Sequence, residues 1–256
     1  MAKLEIHQIP ALSDNYVYLI HEAEAGLTAV IDPAEHEPVQ AALADKGWKL
    51  THIINTHHHG DHTGGNLALK EATGCTVVGA GIDAHRIPGI DIEVGEGDTY
   101  SFGGADSLVY ETPGHTVGHI AFWFEESDAL FCGDTMFAMG CGRILEGTAE
   151  QLWDSLSRLM KLPKETWIYC GHEYTKANGE FALSVEPGNQ ALVDRVEEVK
   201  KLREQDRYTV PSQLGDELAT NPFLRVNSEE IREVIGFEDK DDLSVFTEVR
   251  LRKDNF

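Results

Sequence analysis

Thr56-His57-His58-His59-Gly60-Asp61-His62 follows directly on the apolar run Ile53-Ile54-Asn55, and this junction decides how the rest of the chain is read. A short β-branched run predicts a strand, and its end releases four histidines and an aspartate within seven residues. Imidazoles at 57 and 59 are two positions apart, so in extended chain they project to the same side. Gly60 permits a sharp turn that brings Asp61 and His62 back toward them. Asp61 and His62 are adjacent, so their side chains diverge and can serve a different centre from the first pair, while His58 faces away. Imidazole nitrogens and carboxylate oxygens are the donors that borderline metals such as zinc accept. Packing so many polar groups together without a metal is costly.

Three further stretches repeat one pattern, in which an apolar strand ends on a glycine and a metal-type side chain. Leu108–Tyr110 leads into Glu111-Thr112-Pro113-Gly114-His115, Ala129–Cys132 into Gly133-Asp134, and Trp167–Cys170 into Gly171-His172. Together the four strand ends offer His57, His59, Asp61, His62, His115, Asp134 and His172 to one edge of a sheet. One tetrahedral ion takes four ligands. Seven suit two ions if one carboxylate is shared, and Asp134 has two oxygens for that. His7, His21, His36, His52 and His85 lack such a context and read as structural or exposed. His119 reads equally well as a group that orients the site or as a plain strand-start histidine. Cys132 and Cys170 read as core residues.

The 256 residues, 41% apolar and 25% charged, suffice for one large core or two modest ones and exclude a disordered chain. No apolar run approaches the ~18 residues of a membrane span. Strand-length runs at 17–20, 27–31, 52–54, 76–78, 108–110, 120–124, 129–132 and 167–170 alternate with helical stretches at 37–46, 66–72 and 148–160. The last of these opens with Thr148-Ala149-Glu150-Gln151, the pattern of a capping box. After Cys170 the spacing is helical, at 191–204, 212–219, 228–235 and 243–251, with no strand expected. A domain boundary is therefore expected within 173–187, ahead of the turn Glu186-Pro187-Gly188-Asn189. The net charge of −23 disfavours nucleic acid as a partner. The four scattered cysteines read as reduced thiols, and the opening residues lack a secretory signal, so a cytoplasmic protein is expected. No membrane and no obligate protein partner are expected.

The stretch 56–62 resembles the T-H-x-H-x-D-H signature of the metallo-β-lactamase superfamily, with Gly114-His115, Gly133-Asp134 and Gly171-His172 where that family places its remaining ligands. Within it the chain is similar to the hydroxyacylglutathione hydrolases (glyoxalase II) over essentially its whole length. The specific stretches are Gly140-Cys141-Gly142-Arg143, Glu146-Gly147-Thr148, Gly171-His172-Glu173-Tyr174-Thr175, Glu186-Pro187-Gly188-Asn189, Asn221-Pro222-Phe223 and Arg250 with Lys253-Asp254. The resemblance implies an α+β fold, a four-layer αββα sandwich over residues 1–173, with an all-helical glutathione-binding domain over 174–256. It implies His57, His59 and His115 on one divalent metal and Asp61, His62 and His172 on a second, with Asp134 shared. The metals implied are zinc, with iron or manganese compatible with the same donors. The small-molecule substrate implied is an acyl-glutathione, held by Arg143, Tyr174, Arg250 and Lys253. Arg250, Arg252 and Lys253 would form a basic knot suited to glutathione's carboxylates, or alternatively a solvated helix end that complements the macrodipole.

The activity implied is hydrolysis of S-lactoylglutathione to a 2-hydroxy acid and glutathione, the second step of methylglyoxal detoxification. A hydroxide bridging the two metals would attack the thioester, with Asp61 and Asp134 as the carboxylates of the catalytic centre. One departure stands out. The family pattern after Gly142 is Lys, an aromatic and Tyr, whereas this chain has Arg143-Ile144-Leu145. Leu145 lacks the phenol hydroxyl, and a hydrogen bond to a charged group is worth ~1.5–3 kcal/mol. Two alternatives remain: an iron-dependent persulfide dioxygenase on the same scaffold, and a non-catalytic metal-binding scaffold.

Overall fold

A computed structural model describes residues 2–256. By packing, the chain falls into two compact units. One runs up to Thr112 and resumes over Gly118–Gly133; the other comprises Pro113–Val117 and Asp134–Phe256.

The first unit holds β1 (Glu5–Ala11), β2 (Asn15–Glu22), β3 (Leu27–Ile31), α1 (His36–Lys46), β4 (His52–Ile54), α2 (Gly60–Thr63), α3 (Asn66–Thr73), β5 (Thr76–Ala80), β6 (Ile92–Val94), β7 (Thr99–Phe102), β8 (Ala105–Glu111), β9 (Ile120–Phe124) and β10 (Ala129–Gly133). β1 to β6 pair in chain order, antiparallel from β1 to β3 and parallel from β3 to β6. The central parallel strands β3, β4 and β5 are mostly apolar and buried, as strands covered on both faces must be, whereas β6 at the edge is exposed at Ile92 and Glu93. β7 to β10 form an antiparallel meander. The two layers meet through side chains such as Tyr18 of β2 and Phe131 of β10, whose ring centroids lie 5.6 Å apart. His52 packs edge-on against Phe102 at 5.4 Å, and His21 stacks on Trp48 at 4.5 Å, so both are structural histidines. Ile53 and Ile54 align with Val30 and Ile31, so β3 and β4 end side by side and deliver Asp32 and Thr56 to the same place.

The second unit holds β11 (Met136–Phe137), β12 (Gly140–Cys141), α4 (Ala149–Leu159), β13 (Trp167–Cys170), α5 (Thr175–Val185), α6 (Gln190–Glu204), β14 (Ser212–Gln213), α7 (Leu214–Thr220), α8 (Glu229–Ile235) and α9 (Asp242–Asp254). The capping box on α4 is formed: Gln151 N donates to Thr148 Oγ1 at 3.2 Å and Thr148 N donates to Gln151 Oε1 at 2.9 Å. Thr148→Ala is expected to cost about 1 kcal/mol of stability, read as a lower denaturant midpoint at unchanged slope.

Two expectations are corrected. The stretch 212–219 begins as a strand, since Ser212 and Gln213 pair with Ile168 and Trp167, so residues after Cys170 are not purely helical. Two residues carry no readable periodicity, and only the pairing makes them a strand. Where only a boundary was expected, α5 spans 175–185. Gly179 in its middle weakens any helix signal, yet a Cβ there would lie 2.8 Å from Val196 Cγ2 and 2.9 Å from Met139 Cε. The glycine permits close packing of α5 against α6 and the β11–β12 turn.

Candidate metal centre and its flanking cavity

In the first unit, the sequence after β4 turns immediately into α2, and this compact turn gathers the first four candidate ligands. His57 Nε2 and His59 Nδ1 lie 3.0 Å apart, and His62 Nε2 lies 3.6 Å from Asp61 Oδ2. Donors on one tetrahedral ion bound at ~2.1 Å are about 3.4 Å apart, so both pairs have metal-ligand spacing. His58 is turned elsewhere, with Nδ1 3.2 Å from Asp83, a carboxylate that also takes Arg86.

Asp32 is the residue that sequence reasoning missed. Its Oδ1 accepts from Thr56 N at 2.8 Å, and its Oδ2 from Thr56 Oγ1 at 2.6 Å and His62 Nδ1 at 3.1 Å. Thr56 Oγ1 also lies 3.1 Å from His57 Nδ1. Because its hydrogen goes to Asp32, the Thr56 hydroxyl accepts from His57. One buried carboxylate thus holds the protons of two imidazoles on Nδ1, which makes Nε2 the lone-pair nitrogen of both rings, the form a cation takes. A signal was available, because Asp32 follows the apolar run 27–31 just as the other candidates follow theirs.

Asn15 Nδ2 donates to Asp61 Oδ2 and Asp61 O, both at 3.1 Å. His119 is fully buried, stacks on His57 at 4.7 Å and hydrogen-bonds Thr112 Oγ1 at 2.9 Å. Its ring therefore packs directly against a candidate ligand. Gly133, at φ +46°, is required by a close approach: a Cβ would sit 2.2 Å from Thr56 Oγ1 and 2.9 Å from His119 Nε2.

In the second unit, Asp134 Oδ2 lies between His115 Nε2 at 3.5 Å and His172 Nε2 at 3.4 Å. His115 Nδ1 donates to Arg143 O at 2.8 Å, so its Nε2 is again the lone-pair nitrogen. One carboxylate oxygen is thus within reach of two imidazole nitrogens. Within each unit the candidate imidazole nitrogens and carboxylate oxygens stand 3.0 to 3.6 Å apart, the spacing of ligands on one ion, so the residues fit divalent metals.

A cavity of about 340 Å³ in the second unit is lined by His115 and Asp134 and also by Tyr174, Arg143, Arg250 and Lys253. Tyr174 stacks parallel on His172 at 4.7 Å and meets Phe137 edge-on at 5.3 Å. Arg250 is buried over Phe223, donating to Cys141 O and Asp254 Oδ1, both at 2.9 Å. Arg143 is exposed, with Nε 3.7 Å from the same Asp254 carboxylate. Burial, and then the neighbouring charge of Arg250, lower the Lys253 pKa below lysine's ordinary value. The knot expected from Arg250, Arg252 and Lys253 is corrected: Arg252 donates to Glu248 at 2.8 Å and to Ile235 O at 3.0 Å instead. Residues two apart on a helix face opposite ways, whereas 250 and 253 share a face. Leu145 is 60% exposed.

Comparison with known proteins gives two adjoining family matches. Residues 12–172 match the metallo-beta-lactamase superfamily, and residues 173–256 match the hydroxyacylglutathione hydrolase C-terminus. A hydroxyacylglutathione hydrolase of Methylococcus capsulatus is 59% identical over 99% of this chain and 99% of its own. One from Rhodospirillum rubrum is 56% identical over the whole of both chains. Among solved structures, ETHE1 from Myxococcus xanthus is 28% identical, with a TM-score of 0.67 over 97% of this chain and 98% of its own. The fold is the α+β metallo-β-lactamase sandwich with a helical C-terminal region.

Proposed function

The chain belongs to the hydroxyacylglutathione hydrolase family of the metallo-β-lactamase superfamily, and from that premise we propose that it hydrolyses S-(2-hydroxyacyl)glutathione thioesters, S-lactoylglutathione foremost. The observation that carries the reading is a single cavity whose wall joins metal-type ligands, His115 and Asp134, to the cations Arg143, Arg250 and Lys253. On a chain of net charge −23 such a cavity selects an anion. Glutathione carries two carboxylates, which pair with guanidinium and ammonium groups.

In this reading His57, His59 and His115 hold one divalent ion, Asp61, His62 and His172 a second, and Asp134 serves both. Zinc suits these donors, as do iron and manganese. When bound, such ions activate water and polarise the thioester carbonyl. The protein's own groups do the rest. Asp32 and Thr56 keep His57 and His62 in the tautomer that presents Nε2. Arg143, Arg250 and Lys253 anchor the glutathione moiety, and Tyr174 lines its path. No side chain has to protonate the departing sulfur, because a thiolate of conjugate-acid pKa ~8.5 leaves unaided. Residues 1–173 carry the hydrolytic centre and 174–256 most of the glutathione contacts. The persulfide dioxygenase alternative is not favoured, since the relatives at 59% and 56% identity are hydroxyacylglutathione hydrolases along their full length.

The free, buried cysteines suit a reducing compartment, so we place the protein in the cytoplasm. No described helix is long and apolar enough to cross a membrane.

The decisive experiment is turnover of S-lactoylglutathione by metal-loaded protein. The expected kcat/KM lies in the ordinary enzyme range of ~10⁴–10⁸ M⁻¹s⁻¹. Two bound metals without thioester turnover would leave only the scaffold alternative. A pH profile tests the anchor. Lys253 loses its charge as pH rises through a pKa that burial depresses below 10.5. The plot of kcat/KM against pH should therefore fall on its alkaline side below that value, and Lys253→Arg should remove the fall.

A further inference from the structure

The motif Asn221-Pro222-Phe223 has no part in the chemistry above, yet its side chains reach the segment between Asp134 and Arg143. That segment is the hairpin of β11 and β12, whose strands are only two residues long, with Met139 in the left-handed region at φ +53°. Strands this short do not hold themselves together. The hairpin is buried, so its backbone groups need partners from the protein.

Those partners are side chains. Asn221 Nδ2 donates to Phe137 O at 3.2 Å and Gly140 O at 2.9 Å. Asn178 Nδ2 donates to Ala138 O at 3.1 Å, and Glu217 Oε2 accepts from Met139 N at 2.7 Å. Glu217 is itself fully buried and anchored by Arg195 and Ser212. The motif explains its own composition. Asn221 Oδ1 accepts from Phe223 N at 3.1 Å, which fixes the carboxamide with its N–H groups toward the hairpin. Pro222 has no N–H to compete for that oxygen. Phe223 then lies under the Arg250 guanidinium, 4.9 Å away.

We propose that Asn221 is a positioning residue: with Glu217 and Asn178 it clamps the 136–141 hairpin into a rigid spacer that sets the distance between Asp134 and Arg143. Resting on the thioesterase reading, this makes the spacer a gauge for substrate length. The reacting carbonyl and the glutathione carboxylates are engaged together only when the spacer has one shape. A fully satisfied buried network has the required rigidity.

The test compares Asn221→Ala with wild type, both metal-loaded, on S-lactoylglutathione and on S-lactoyl-N-acetylcysteamine, a thioester without glutathione's carboxylates. The variant should keep two metals and wild-type turnover of the truncated thioester. Its kcat/KM for the glutathione thioester should fall on the order of 10²-fold, as misplacement by about 1 Å does. Glutathione affinity by calorimetry should fall with it. An equal loss on both thioesters, a loss of metal, or an unchanged ratio with unchanged glutathione affinity overturns the clamp. If Asn221→Ala does not fold, Glu217→Gln, which leaves one acceptor oxygen where two now serve Met139 N, Asn221, Arg195 and Ser212, is judged by the same ratio. Turnover of S-lactoylglutathione by wild type tests the functional reading separately, and calorimetry reads the clamp without hydrolysis.

Discussion

Asp134→Ala is expected to lose both metals and to lower kcat/KM for S-lactoylglutathione by at least ~10³-fold. One oxygen of this carboxylate stands 3.5 and 3.4 Å from two imidazole nitrogens, so its removal takes a ligand from each proposed ion at once. It also removes a negative charge from a centre whose cations need it. Metal content per chain and thioester turnover check the prediction together. Asp134→Asn, which keeps the shape without the charge, should fall between wild type and alanine on both readouts. An alanine variant that retains two ions and full turnover would remove Asp134 from its shared role.

Asp32→Asn should weaken metal binding by about 10–100-fold, the usual effect of removing the partner that orients a ligating histidine. Asparagine suits the backbone here: Asp32 sits at φ +51°, a conformation asparagine tolerates, so the substitution isolates the loss of charge from backbone strain. The amide retains one oxygen as an acceptor and offers an N–H₂ where Oδ2 had accepted. Facing His62, that N–H₂ requires Nδ1 to accept and pushes the proton to Nε2, where it blocks the metal. Competition with a chelator measures the affinity, and the visible spectrum of the cobalt-substituted protein reports the changed ligand field. Wild-type behaviour on both would mean that Asp32 only supports the loop.

The strand-end pattern was legible because each candidate follows a strand-length run by two to eight residues, and local chain geometry carries it to the strand's end. Asp32 obeys the same rule but stands 24 residues before Thr56. Only the parallel alignment of β3 with β4 brings them together, and pairing between distant strands leaves no local trace. The basic residues of α9 failed for a different reason. Reading Arg250, Arg252 and Lys253 as one cluster ignored helical phase, which sends Arg252 to Glu248. Periodicity and punctuation showed strands mixed with helices and then a helical tail, whereas the fold class itself came from the family resemblance of 56–62 and the later motifs. β14 and α5 escaped, the one too short for a period and the other interrupted by Gly179, whose reason is a neighbouring helix.

The four cysteines are all free and buried, and one of them, Cys141, lines the cavity. Burial pushes its thiol up to about 11, and that of Cys170 up to about 12. At neutral pH the Cys141 thiolate is then about one part in 10⁴, and it is the thiolate that exchanges with disulfides and is alkylated by electrophiles. On the proposed reading, each catalytic cycle sets a glutathione thiol free beside this residue. A reactive thiolate there would attack the incoming thioester, form its own thioester bond to the acyl group and expel glutathione thiolate, which would leave the cysteine acylated. The chain instead keeps its sulfur chemically silent at the place where sulfur chemistry is released, so the cavity discharges its product unchanged.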